Sequence, residues 1–472
     1  MARKNRVREV LDLHIDSIGF EGKAVARHDD MVCFVEGAVP GDKVQVEVIR
    51  KKRRFKEART IAIHEASPFR VEPRCSHFGE CGGCRWQHLD YNEQVRWKGI
   101  HVRDAFQRIG KIEIGELLPA LPAENQYYYR NKMEFSFGDS RWLTADQIAG
   151  GEEFDRSFAL GLHVPGRYDK ILDVDRCYLQ SELSNAILTR VREQALAFDA
   201  KPFSTKTHEG FLRNLVVRHA QNAQQTMLIL VTSAPESTGD QKLLQWFDRE
   251  LPGEFPAVTT TIHALNTSKS SVAVGEPRIM HGEGFITETL LGVHFRISPF
   301  SFFQTNTRQA ERLFSIALEY ASPTGDQRIW DLYCGAGSIS LCAAQRAAHV
   351  TGIELNKTAI EDARANAMRN NINNVTFIAD DMKNAAADLL ARSERPDTII
   401  VDPPRAGMHP DVVKALPEFG ADTIVYVSCN PTTQARDCAI LDEHYQIERM
   451  QPVDMFPNTY HIESVARLVR RT

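Results

Sequence analysis

The chain has 472 residues, 43% hydrophobic and 25% charged, the balance of a globular protein with apolar material for two or three domains. A net charge of −5 argues against binding nucleic acid through bulk positive charge. No apolar run approaches the ~18 residues a membrane span needs, so no membrane partner is expected.

The first eight residues are basic but run into an alternating stretch at 10–15. That pattern predicts a strand rather than a signal peptide, and with it a cytoplasmic protein. Further alternating stretches at 31–35, 43–49 and 58–63 are punctuated by Gly19, Gly22, Gly37 and Pro40-Gly41. They predict a small β-barrel over residues 5–66. Charge is uneven: residues 1–70 carry 15 Lys and Arg against 11 Asp and Glu, and residues 306–472 carry 17 against 22. The basic residues concentrate at 50–56. Such a run is either a solvated face or a phosphate-contacting surface; Phe55 in its middle and the surrounding strands favour the second. The phrase Gly19-Phe20-Glu21-Gly22-Lys23-Ala24-Val25-Ala26, followed by Val39-Pro40-Gly41-Asp42, resembles the TRAM domain, an OB-like RNA-binding barrel.

Residues 67–305 predict an α+β domain opened by Pro68 and Pro73, with strands at 133–137, 215–218, 227–231 and 293–297. Nine cysteines in a chain of this length do not suggest a disulfide framework, so metals and nucleophiles are the better question. Cys75, Cys81 and Cys84 lie within ten residues, and Cys177 stands further on. Thiols so close suit a soft metal. Zinc, completed by His77 or His88, is one candidate.

The pattern changes over 306–472. An amphipathic helix at 307–320 leads into alternating strands and helices, with strands at 350–354, 375–378, 398–402 and 423–428. This predicts a parallel sheet in a doubly wound α/β layer. Asp331-Leu332-Tyr333-Cys334-Gly335-Ala336-Gly337 lets backbone approach a ligand at a helix N-terminus. Glu354 ends the next strand, where a carboxylate accepts from ribose hydroxyls. A dinucleotide site would show GxGxxG, and the third glycine is absent; the pattern, with Asp380-Asp381 after the third strand, resembles class I methyltransferases, whose fold is Rossmann-like.

Strand four ends in Asp402-Pro403-Pro404-Arg405. An aromatic in place of Arg405 would resemble an amino-methylase. Strand five ends in Ser428-Cys429-Asn430-Pro431, which puts a cysteine at the carboxyl edge of the sheet. A buried, inert cysteine is the alternative, and it is the expectation for Cys334 and Cys342. For Cys429, the following Asn-Pro-Thr-Thr predicts a capped helix whose N-terminus lowers the thiol pKa. Carbon 5 of uracil is a poor nucleophile. A thiolate adding to carbon 6 makes carbon 5 nucleophilic, and a base must then remove its proton. Glu463, in the terminal His461-Ile462-Glu463, is the candidate base.

Ser-Phe-Phe-Gln-Thr-Asn at 301–306, the Asp331 segment, Asp-Pro-Pro-Arg-Ala-Gly, Ser-Cys-Asn-Pro and the terminal His-x-Glu together resemble the RNA uracil-5 methyltransferase family. The resemblance implies S-adenosylmethionine as methyl donor, Cys429 as nucleophile and Glu463 as base. It also implies Gln304, Tyr333, Glu354, Asp381 and Asp402 at the cofactor and uracil pocket. Ser338 departs from the Asn that relatives often carry. The cysteine spacing resembles the [4Fe–4S] motif of the large-subunit rRNA branch, held by Cys75, Cys81, Cys84 and Cys177. That branch implies a 23S rRNA uridine, or an rRNA assembly intermediate, as partner and a monomeric enzyme. Phe302 and Phe303 are candidates for stacking on an extruded base. A cytosine-5 enzyme, usually marked by Pro-Cys where Ser428-Cys429 stands, and an inactive RNA-binding factor are the rival classes.

Overall fold

Alternation builds the first layer. Val44, Val46 and Val48 of Lys43–Lys51 point inward between Lys43, Gln45 and Glu47, as a half-buried strand requires. The computed structural model describes residues 9–151, 153–270, 272–391 and 394–471. The basic residues 1–8, including the first four positions of the expected barrel, lie outside the described residues. The six strands are ordered Val10–His14, Lys43–Lys51, Phe55–Glu65, Met31–Glu36, Ala24–His28, Ser17–Ile18. Their inward residues, among them Leu11, Leu13, Ala26 and Val35, form one core. The strands absorb much of the basic run. Lys56 is buried and ion-paired with Glu9 at 2.7 Å, and Phe55 packs edge-on against Phe34 at 5.6 Å. The exposed cations of the run are therefore Arg50, Lys51, Lys52, Arg53 and Arg54, and the aromatic serves the barrel.

The central sheet has eight strands, with Gln225–Thr232, Leu212–Ala220 and Lys132–Gly138 at its middle. Helices Glu182–Ala197 and Thr238–Arg249 cover one face through Ile187, Leu188, Val191, Leu243, Trp246 and Phe247. Ser237 begins the second helix with a full capping box to Asp240, a local start signal. The other face shares a core with the C-terminal layer through the hairpin Ile286–Leu290/Val293–Ile297 and helix Thr307–Ala321.

The C-terminal sheet runs Val375–Ala379, His349–Glu354, Arg328–Leu332, Thr398–Val401, Thr423–Ser428, Glu463–Arg470, Tyr445–Val453, Ile114–Leu117. The first five strands are parallel, and helices cover both faces. The expected all-parallel pattern gives way at one edge. Glu463–Arg470 is antiparallel to both neighbours, and Tyr445–Val453 pairs in parallel with Ile114–Leu117. Segment 67–305 thus lends strand Ile114–Leu117, and helix Tyr91–Ala105 packed beside it, to a sheet expected from 306–472 alone. Among the described residues no helix is long and apolar enough to cross a membrane.

Candidate active site

The strand order reverses between Arg328–Leu332 and Thr398–Val401, and the crevice beyond their carboxyl ends is where an open α/β sheet takes its ligand. Three residues just past Arg328–Leu332 have positive φ: Tyr333 (+67°), Gly335 (+54°) and Gly337 (+82°). For a tyrosine this costs on the order of 1–3 kcal/mol and marks a functional turn. A Cβ on Gly337 would stand 2.9 Å from the Phe377 ring, whereas Gly335 faces open space. Glu354 closes the turn, accepting from the Gly335 N–H at 3.3 Å and the Asn356 N–H at 2.9 Å.

A cavity of about 890 Å³ opens here, lined by Gln304, Tyr333, Glu354, Asp402, Cys429 and Glu463. This lies within the size range of small-molecule sites. Six of the seven pocket and catalytic residues expected from sequence therefore converge. Asp381 does not line the cavity; it is exposed, and its charge acts on the Tyr333 phenol, which burial pushes up to about 12. Phe303 is buried in the core against Phe295, 6.0 Å away, while Phe302 lines the cavity and is 77% exposed.

Asp331, Arg405 and His461 also line the cavity and were given no role from sequence. Asp331 is buried; its Oδ2 accepts from the Ser340 hydroxyl at 2.5 Å, and its Oδ1 has no hydrogen-bond partner among the described residues. Burial pushes its carboxyl up to about 7. Asp402 is pushed up to about 7 as well, by burial and by Asp331. Arg405 donates to His461 Nδ1 at 2.5 Å, and burial and Arg405 hold that imidazole neutral, down at about 4. Asp331 opens the glycine motif and His461 stands two residues before Glu463, so sequence position was the available signal for both.

Asn430 caps Pro431–Leu441 as expected, accepting from the Thr432 N–H at 3.1 Å. The Cys429 thiol nevertheless moves opposite to expectation: burial, then the Glu463 and Asp402 carboxyls, push it up to about 11, with Arg405 opposing. Glu463 is buried at the head of its strand, and burial and Asp402 raise its carboxyl well above the usual range. Cys334 and Cys342 are buried, their thiols raised by burial. The segment before Glu463 is anchored by helix Tyr91–Ala105. Lys98, fully buried, donates to Asp454 Oδ1 at 2.6 Å and to the Phe456 carbonyl at 3.0 Å. A buried pair of this kind is costly to break and so specifies geometry.

Cys75, Cys81, Cys84 and Cys177 are free thiols lining a second cavity of about 980 Å³. Arg74 and Arg176, each next to one of these cysteines, stack on the Tyr178 ring at 4.6 and 5.3 Å. Burial pushes Cys81 up to about 11 and Cys84 up to about 12, with neighbouring thiols adding to both. Among the described residues no three His, Cys, Asp or Glu side chains close on a single-ion site. His77 lines this cavity, its Nε2 accepting from the Asp175 N–H at 3.2 Å. His88 is buried beside Phe78, 5.0 Å away. Gly83, Arg130, Phe302, Phe303 and Thr305 line both cavities, so the two share a wall.

Comparison with known proteins gives this geometry its context. Residues 273–471 match the family model of tRNA (uracil-5-)-methyltransferase, and residues 4–61 match the TRAM domain. An uncharacterized RNA methyltransferase of Bacteroides thetaiotaomicron is 42% identical over 96% of this chain and 99% of its own length. One from Chlorobaculum tepidum is 40% identical over 98% and 96%. The crystal structure of Pyrococcus abyssi tRNA (uracil-54, C5)-methyltransferase with S-adenosyl-L-homocysteine superposes with a TM-score of 0.74 at 30% identity, covering 97% of this chain and 99% of that one. The chain therefore belongs to the RNA methyltransferase family that the tRNA (uracil-5-)-methyltransferase model describes, with an N-terminal TRAM domain and a C-terminal S-adenosylmethionine-dependent methyltransferase fold.

Proposed function

We propose that the protein methylates carbon 5 of a uridine in 23S rRNA, or in an rRNA assembly intermediate, as a cytoplasmic monomer. The observation that carries this reading is the convergence of Cys429, Glu463 and Asp402 on the cavity that also holds the Gly335–Glu354 turn. S-adenosylmethionine supplies the methyl group. Glu354 and the strained Tyr333 turn would hold it, with the Asp402 and Asp331 carboxylates as anionic partners for its positive charge. Gln304 faces the base, and Asp381 acts through Tyr333.

Cys429 adds to carbon 6 of the uracil. Burial keeps its thiol protonated at rest; the proton is released to solvent as the target base enters, and Arg405 favours the resulting thiolate. After methylation carbon 5 carries both a proton and a methyl group. Glu463 takes the proton, and the Cys429–carbon 6 bond then breaks. A carboxyl with raised pKa is a strong acceptor once ionised, which suits it to a weakly acidic carbon. Phe302 stacks on the extruded base.

The four cysteines fit a [4Fe–4S] cluster. All four thiols line one cavity, and a thiolate-bound cluster there would remove the cost of burying them together. Such a cluster would supply a rigid tie between loop 75–84 and Cys177, beside Gly83 in the shared wall.

A tRNA uridine is the second reading, favoured by the near full-length similarity to the Pyrococcus abyssi enzyme named for tRNA uracil-54. Methyl-labelled S-adenosylmethionine, offered with unmodified 23S rRNA and with unmodified tRNA, separates the two. Label recovered as 5-methyluridine from 23S rRNA alone supports the proposal; label confined to tRNA replaces it with the second reading.

A further inference from the structure

Phe302 is 77% exposed, yet the chain on both sides of it is held tightly. On the far side, Phe303 returns to the core, and Asn131 donates from its side chain to the Gln304 carbonyl and from its backbone N–H to the Thr305 carbonyl, each at 2.9 Å. On the near side stands Arg218, from strand Leu212–Ala220 of the central sheet. It is 3% exposed. Its Nη1 donates to the carbonyls of Ser298, Pro299 and Ser301 at 2.9, 3.0 and 2.9 Å. The Ser301 hydroxyl also donates to the Ser298 carbonyl at 3.0 Å, and the Ser298 hydroxyl reaches Asp362 of helix Lys357–Arg369 at 3.0 Å. Glu134 and Asp362 act on the guanidinium by charge.

Burying a cation is costly, and a turn of three carbonyls could be satisfied by neutral donors or water. The cost is met at one place: the turn that immediately precedes an exposed aromatic over the catalytic cavity. An exposed side chain adds little to a core, so fixing its backbone serves what it faces. We propose that Arg218 is a positioning residue, tying the 298–301 turn to the central sheet and so setting where Phe302 stands over the cavity. This rests on the reading that Phe302 stacks on the target base.

The test is a double-mutant cycle on the full-length protein, with Arg218→Met, Phe302→Ala and their combination. Single-turnover methyl transfer is measured on whichever transcript, 23S rRNA or tRNA, the wild type methylates. S-adenosylhomocysteine binding reports the intact cofactor site. Phe302→Ala is expected to slow transfer by about tenfold, the effect of losing one base–aromatic stack. Arg218→Met should slow it comparably with cofactor-product binding unchanged. The double variant should be no slower than Phe302→Ala alone, and Arg218→Lys should recover part of the loss. Should Arg218→Met fail to bind S-adenosylhomocysteine, the same cycle is read with Arg218→Lys. Multiplicative losses, or an Arg218 variant as fast as wild type, would overturn the positioning role while leaving the stacking role standing. A Phe302→Ala variant at wild-type rate would remove the stacking role and the proposal with it.

Discussion

Asp402 offers a prediction whose sign follows from its surroundings. Burial and the nearby Asp331 push its carboxyl up to about 7, far above the ordinary aspartate value. At pH 5.5 the cavity therefore holds this carboxyl protonated, and a cationic cofactor must displace the proton before gaining the charge. At pH 8 the carboxylate is already formed. Linkage converts one displaced proton into tenfold in affinity per pH unit below the pKa. With the carboxyl at about 7, S-adenosylmethionine binds roughly thirtyfold more weakly at pH 5.5 than on the plateau reached near pH 8, and about sixteenfold more weakly than at pH 7. Stability of the ligand-free protein runs the other way. A carboxyl raised on folding binds its proton more tightly in the folded state, so its contribution is full below the unfolded pKa of ~4 and is lost as pH rises through 7. Calorimetric titration at pH 5.5, 7 and 8 measures both the affinity and the proton released. Asp402→Asn should flatten the profile, leaving the contribution of Asp331, itself at about 7. Binding that is level from pH 5.5 to 8, or a profile unchanged in Asp402→Asn, would refute the reasoning.

Two further outcomes are expected. Protein purified without oxygen should carry iron with the broad visible absorbance of thiolate-bound clusters, and Cys177→Ser should lose it; stoichiometric zinc without iron would contradict the cluster. Replacing Lys52, Arg53 and Arg54 with Ala should make the salt dependence of RNA binding shallower by ~2 in log–log slope, at about 0.7 per phosphate contact on a single strand. An unchanged slope would make the 52–54 turn a solvated face.

What could be read from sequence, and what could not, divides along local and non-local lines. The barrel strands and the parallel strands of the C-terminal layer announce themselves by period and by motifs at their ends, because each is decided within a few residues. Strand Ile114–Leu117 spans four residues with no clear alternation, and only its distant partner Tyr445–Val453 makes it a strand. Lys56 looks like a surface cation in a basic run; it is buried because Glu9 lies across the sheet. Position at strand ends brought Cys429 and Asp402 to one cavity with Glu463. Their protonation was not legible, since it depends on burial and on which charges face each other: the capped helix suggested a lowered Cys429 thiol, and burial, with the surrounding carboxyls, raises it. Phe302 and Phe303 are indistinguishable as letters and are separated by which of them the core accepts. Arg218 follows Leu215-Val216-Val217 in its strand and shows its purpose only against a turn 80 residues away.

The central claim is that Cys429 and Glu463 act in sequence on one uracil ring. Glu463→Gln keeps the shape of the side chain but cannot accept the carbon 5 proton, so addition and methyl transfer should proceed and elimination should stall. With methyl-labelled S-adenosylmethionine, a denaturing gel of Glu463→Gln should accumulate a labelled protein–RNA band that disappears when Cys429→Ala is added. Release of free 5-methyluridine RNA by Glu463→Gln at the wild-type rate, or a covalent band that persists without Cys429, would contradict the account.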